Sequence, residues 1–165
     1  MVAASLVQTA WLNGARGRAV QALAMIALGA CVNVEGGAVE LSWEIRTADG
    51  VRPDSPCEVS GIAQVGLCIR GCAEDAAAAE PGTCTGELIC PQTRWECEKF
   101  TGSTRFDVAT GPAELFIEAY CQDGTKAQGV QVPSPIVRRI ALGQVTQLNA
   151  LLITLPAADA PCPVF

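Results

Sequence analysis

Nine cysteines and no histidine in 165 residues constrain this chain more than any other feature. The first, Cys31, follows an apolar run from Ala19 to Leu28 that is interrupted only by Gln21. Ahead of the run stand Arg16 and Arg18, with no acidic residue. The run is too short for a permanent bilayer span, which takes ~20 residues. A basic segment, an apolar segment of this size and small residues at its end have the layout of an export signal. Export delivers a chain to an oxidising compartment. The other eight cysteines, Cys57, Cys68, Cys72, Cys84, Cys90, Cys97, Cys121 and Cys162, therefore read as a disulfide framework of up to four bridges. Eight cysteines allow about 105 pairings, and spacing does not choose among them.

The end of the signal carries a resemblance. Leu28-Gly29-Ala30-Cys31 resembles the bacterial lipoprotein processing site: a branched apolar residue, two small residues and a cysteine. That resemblance implies removal of residues 1–30, a signal-peptide helix, and a diacylglyceryl group on the Cys31 thiol. Thioether-linked and amide-linked chains together exceed the single acyl chain that binds only marginally. The membrane is then a partner through the lipid on Cys31. Val32 stands where an aspartate would retain such a protein at the inner membrane, so the resemblance favours the outer membrane of the cell envelope. The segment Met1 to Arg18 is longer than such signals usually carry. The alternative is an ordinary secretory signal, with Cys31 a disulfide partner.

Residues 31–165 are enough for one domain with a real core. They hold nine basic and 17 acidic residues, a net charge of −8. Such a surface argues against nucleic acid as a partner. Residues 31–37 read as a short tether ending in Gly36-Gly37, which would hold the domain near the lipid.

From Ala38 to Arg46 the apolar Val39, Leu41, Trp43 and Ile45 alternate with polar residues, the period of a strand with one face buried. A second strand is expected over Gly61–Arg70, with Val65, Leu67 and Ile69 on one face and Cys68 on the other. Residues 71–100 read as a cysteine-rich excursion, irregular to about 92. Strands are expected to resume at Arg94–Glu98 and at Ser103–Val108, the latter with Phe106 and Val108 inward. Thr110-Gly111-Pro112 reads as a turn, and Ala113–Cys121 as a strong strand. Asp123-Gly124 is a turn signal, and Gly129–Val132 a short edge strand. Ile136–Leu142 and Val145–Leu155, flanking Gly143-Gln144, read as a closing hairpin. The tail, residues 156–165, would be tied back by Cys162. No amphipathic helix is expected after Cys31. Seven or eight short strands between turns predict an all-β, antiparallel β-sandwich over residues 38–155, braced by disulfides.

The order of these elements is similar to the bacterial prealbumin-like or carboxypeptidase-regulatory-like sandwich. An alternating strand opens the domain, Gly111-Pro112 leads into an apolar strand ending at Asp123-Gly124, and a glycine-bounded hairpin around Gly143 closes it. The resemblance covers Ala38 to Leu155 and implies the fold only. The cysteine-rich excursion departs from it.

The absence of histidine removes Ser-His-Asp and Cys-His catalysis and every histidine metal site. Cys72, Cys84, Cys90 and Cys97 lack the paired two-residue gaps of zinc ribbons, and no Cys-x-x-Cys pair exists for redox exchange. Glu40, Glu44 and Glu118 fall at the wet positions of strands. Asp123 suits a turn cap. Trp43 and Trp95 read as core. Phe116 and Tyr120, opposite Leu115 and Ile117, are either covered by the excursion or form a small contact patch. No catalytic residue, metal or cofactor is expected. The chain reads as a non-enzymatic envelope protein, a structural or interaction module whose partner is an envelope protein or a glycan. The second reading is a small-molecule or glycan binder using residues 71–100 as its recognition loop. A concave, aromatic-lined pocket beside the excursion would favour the second.

Overall fold

A computed structural model describes residues 34–74, 82–157 and 160–162. All of them belong to the second of the chain's two compact units, Val34–Phe165. The signal segment and Cys31 lie outside the described residues.

The described chain is all-β, with eight strands in two sheets. In order they are β1 (Ala38–Arg46), β2 (Ile62–Gly71), β3 (Leu88–Glu96), β4 (Thr101–Ser103), β5 (Gly111–Cys121), β6 (Ile136–Ile140), β7 (Val145–Gln147) and β8 (Leu151–Thr154). One sheet runs β3-β2-β5-β6, antiparallel throughout. The other places β4 antiparallel on one edge of β1, and β7 and β8 parallel on its other edge. The core lies between the sheets. Val39, Leu41, Trp43 and Ile45 of β1 meet Val65 and Leu67 of β2 and Leu115 and Ile117 of β5, all buried. Alternation along β1, β2 and β5 thus becomes the two facing layers of a sandwich.

β7 and β8 form one broken strand beside β1. The register steps from Glu40↔Gln147 to Trp43↔Leu151, so three residues oppose two. This is a bulge of one residue, and Leu148 at the break still donates its N–H to the Glu40 carbonyl at 2.8 Å.

Several expectations are corrected. Ile136–Leu142 and Val145–Leu155 do not form a hairpin: β6 pairs with β5, while β7 and β8 pair with β1 in the opposite sheet. The Gly143-Gln144 turn therefore crosses between sheets. β3 begins at Leu88, inside the stretch expected to be irregular, and the turn at Thr110-Gly111-Pro112 is the start of β5. Residues 97–99 form a 3-10 turn rather than extending the strand. β4 stops at Ser103 because Thr104 takes over its pairing. The Thr104 N–H donates to the Val39 carbonyl (3.0 Å), and its hydroxyl accepts from the Val39 N–H (2.9 Å). Val108 is buried as expected, but Phe106 turns outward and is 38 % exposed. Of the edge strand expected over Gly129–Val132, only the Gln131–Thr154 bridge forms.

One short helix appears that the periodicity did not announce, α1 (Pro56–Ser60). Pro56 opens it, where its missing N–H costs nothing. Gly61, at φ +69°, closes it in the left-handed conformation. Among the described residues no helix is long and apolar enough to cross a membrane.

The eight cysteines form four bridges: Cys57–Cys97, Cys68–Cys90, Cys72–Cys84 and Cys121–Cys162. Cys68, on the face of β2 opposite Val65 and Leu67, joins β2 to its neighbour β3. Cys162 ties the tail to the end of β5.

Candidate functional site

The strand directions give the domain two ends. β1, β3, β5 and β7 start at one end, where β2 and β6 finish. Gly36 and Gly37 are built into this first end. Their N–H groups donate to the carbonyls of Phe106 and Val108, and the Gly36 carbonyl accepts from Gly143. A Cβ on Gly36 would collide with the Val108 backbone, so only glycine allows this approach. The expected tether is therefore shorter than residues 31–37, because its last two residues belong to the domain.

The excursion begins at the same end. The Cys72 N–H donates to Pro112 and the Gly86 N–H to Gly71, and Cys72–Cys84 closes the loop between them. Glu114, on the outer face of β5, is 1 % exposed beneath this covering. Its carboxylate accepts from the Gly82 N–H and pairs with Arg70 at 3.1 Å. Breaking such a buried pair leaves an uncompensated charge. Sequence reasoning missed Glu114, since its parity in β5 puts it on the wet face. Beside it is a hollow of about 340 Å³ lined by Ile69, Glu74, Glu87, Ile89, Gln92 and Asp107 among others. None of its lining residues is aromatic.

The outer face of β2 and β5 holds a second cluster. Gly66 lacks a side chain, and the Tyr120 ring and Pro91 fill that space; an added Cβ would sit 2.8 Å from the ring. The Arg94 guanidinium lies 3.8 Å from the ring centroid, a cation–π contact. The Tyr120 hydroxyl donates to Glu118 (2.9 Å), which also accepts from Lys126 (2.6 Å). Tyr120 is thus buried under Pro91 and Arg94 of β3, within residues 71–100 of the expected excursion, and forms no contact patch. Burial pushes its phenol up to about 12, helped by the hydrogen bond to Glu118 and the charge of that carboxylate, and opposed by Arg94.

A free phenol titrates near ~10. The stability that comes from keeping Tyr120 neutral is therefore fully present below pH ~10 and is lost as pH rises from there towards about 12. Tyr120 is the chain's sole tyrosine, so ultraviolet titration reads it alone. The expected midpoint is about 12; a midpoint at the free value would mean the ring is open to solvent.

The opposite end carries two adjoining hollows around Cys57–Cys97. One, of about 280 Å³, is lined by Arg52, Asp54, Glu58, Glu98 and Phe100 among others. The other, about 420 Å³, shares Glu58 and Glu98 and adds Glu96 and Gln122. Phe100 sits at φ +53°, a conformation uncommon for a residue with a side chain. Arg52 lies 5.4 Å from its ring centroid. Beyond them, Asp123 caps its turn, accepting from the Thr125 N–H and hydroxyl, which hold its carboxyl below the usual range.

Residues 71–100 are therefore not one recognition loop. β3 carries the chain from the first end to the second, so aromatic and polar groups converge at Phe100 while the excursion proper offers carboxylates. The four cysteines weighed for zinc are spent in three separate bridges. The ligand atoms of Cys68, Cys90 and Glu118 come within 4.8 Å of one another, but both sulfurs belong to one disulfide. Cys31 lies outside the described residues. No family model matches the chain, and no curated protein or solved structure is similar to it.

Proposed function

We propose that this chain is a non-enzymatic, lipid-anchored envelope protein, attached through Cys31 to the outer membrane, whose sandwich serves as an interaction module. The observation that carries this reading is the docking of Gly36-Gly37 into the first end of the sandwich. Between Cys31 and Gly36 only residues 32–35 intervene, and extended chain spans at most ~3.3–3.6 Å per residue. The lipid would thus lie close to the first end, and the Arg52–Phe100 end would face a partner. Asp54, Glu58, Glu96 and Glu98 outnumber Arg52 and Lys99 there, which suits a partner with cationic groups. An envelope protein meets that description, and a glycan stacking on Phe100 is the second reading.

Mass spectrometry of the membrane fraction should find a mature protein starting at Cys31 with acyl chains on that residue. A soluble product with an unmodified Cys31 would refute the anchor.

A further inference from the structure

Ten large apolar side chains are prominently exposed among the described residues. Six of them belong to the first end: Leu88 and Ile89 at the start of β3, and a group of four, Val34, Phe106, Leu142 and Val145, around residues 36–38. The four come from three stretches: Val34 leads directly into residues 36–38, and the other two are pinned to those residues by backbone hydrogen bonds. Gly36 binds the Phe106 carbonyl, Gly143 binds the Gly36 carbonyl, and Ala38 binds the Gln144 carbonyl. Val34 lies over Gly143, with a methyl 3.8 Å from where a Cβ would stand. Leu142 is the most exposed of the four, at 62 %.

We infer that this apolar end lies on the bilayer surface and inserts Leu142 and its neighbours into the lipid interface, an inference that rests on the lipid anchor at Cys31. The occupant follows from where the chain leads. Val34 is the first described residue, and only residues 32 and 33 stand between it and the proposed acylated cysteine. Two intervening residues keep the patch within reach of a membrane held at an acylated Cys31. The charges at this end are of both signs, Arg105, Arg138 and Arg139 with Glu35, Glu74, Glu87 and Asp107, so the contact is apolar rather than an attraction to anionic headgroups. Apolar side chains at an interface settle ~5–10 Å into the headgroup–acyl boundary. A single patch of this kind adds little affinity alone. Its effect is to set orientation, turning a loosely tethered domain into one with a fixed outward face.

The test uses the full mature protein in vesicles of phosphatidylethanolamine and phosphatidylglycerol with part of the acyl chains brominated. Leu142→Trp is compared with Val59→Trp. Val59, in α1 at the opposite end, is exposed to nearly the same degree, 64 %. The expected result is loss of more than half of the added tryptophan's emission at position 142 and none at position 59. Co-flotation with the vesicles but equal emission at both positions overturns the docking and leaves the anchor standing. Failure to co-float, with no acyl chain found on Cys31, overturns both. Shielding of position 142 without bromine quenching, accompanied by dimer formation, assigns the patch to a second copy and overturns the bilayer contact.

Discussion

Reduction and alkylation of the four disulfides should unfold the domain. In the chain-entropy account, Cys57–Cys97 and Cys121–Cys162, 40 and 41 residues apart, each contribute about 4 kcal/mol, and Cys72–Cys84, 12 apart, about 3. Native domains are stable by only ~5–15 kcal/mol in all. Losing every bridge together therefore removes an amount comparable to the whole stability of such a domain. Near-ultraviolet circular dichroism, which reports the packed Trp43–Trp95 pair, should collapse on reduction. A reduced and alkylated protein that keeps this signal would show that the hydrophobic core suffices. In the unreduced, unfolded protein, titration of residues 57–162 should find no free thiol.

Trp43→Ala should cost about 3–5 kcal/mol. Trp43 is 3 % exposed at the centre of β1. Its ring lies 6.4 Å from that of Trp95, tilted by 31°. Trp95 in turn rests directly on Gly102 of β4, where a Cβ would collide with the indole. The Trp43 Nε1–H donates to the Cys97 carbonyl at 3.1 Å, so truncation both opens a cavity and orphans an acceptor beside a disulfide. Trp43→Phe separates the two effects: it keeps most of the volume and removes the donor, for about 1–3 kcal/mol. Urea unfolding with the disulfides intact measures both. A loss below about 1 kcal/mol for the alanine variant would place Trp43 outside the core.

β1, β2 and β5 were legible because their alternation is uninterrupted and each buries one face. Val39, Leu41, Trp43 and Ile45 need no tertiary information to declare a strand. β3 was obscured by Pro91, which lacks a ladder donor. The fold accepts it because β3 is an edge strand whose register slips between Leu67 and Ile69 of its partner. The supposed closing hairpin failed for a different reason. A two-residue turn signal specifies a reversal, not the strand that receives the chain, and β1 offered a free edge in the other sheet. Glu114 was missed because parity alone puts it on the wet face of a bare sheet, whereas its carboxylate is covered by Gly82 and Arg70. The hollow at Phe100 was illegible because it joins residues 52–58 to 96–100, brought together by Cys57–Cys97 and the contact of Arg52 with Phe100.

The bridges also divide the covalent chain unevenly. Any single backbone cut from Cys57 to Cys97, or from Cys121 to Cys162, leaves both pieces joined through sulfur. This includes a cut in the segment closed by Cys72–Cys84. Between Cys97 and Cys121 no bridge spans the chain, and there β4 and β5 hold most of the backbone inside the sheets. The exposed loop at residues 47–55 lies outside the sulfur-closed spans, whereas the turns inside them, where proteases act first, stay held. A protease that nicks them would leave the domain whole, still carrying both of its ends.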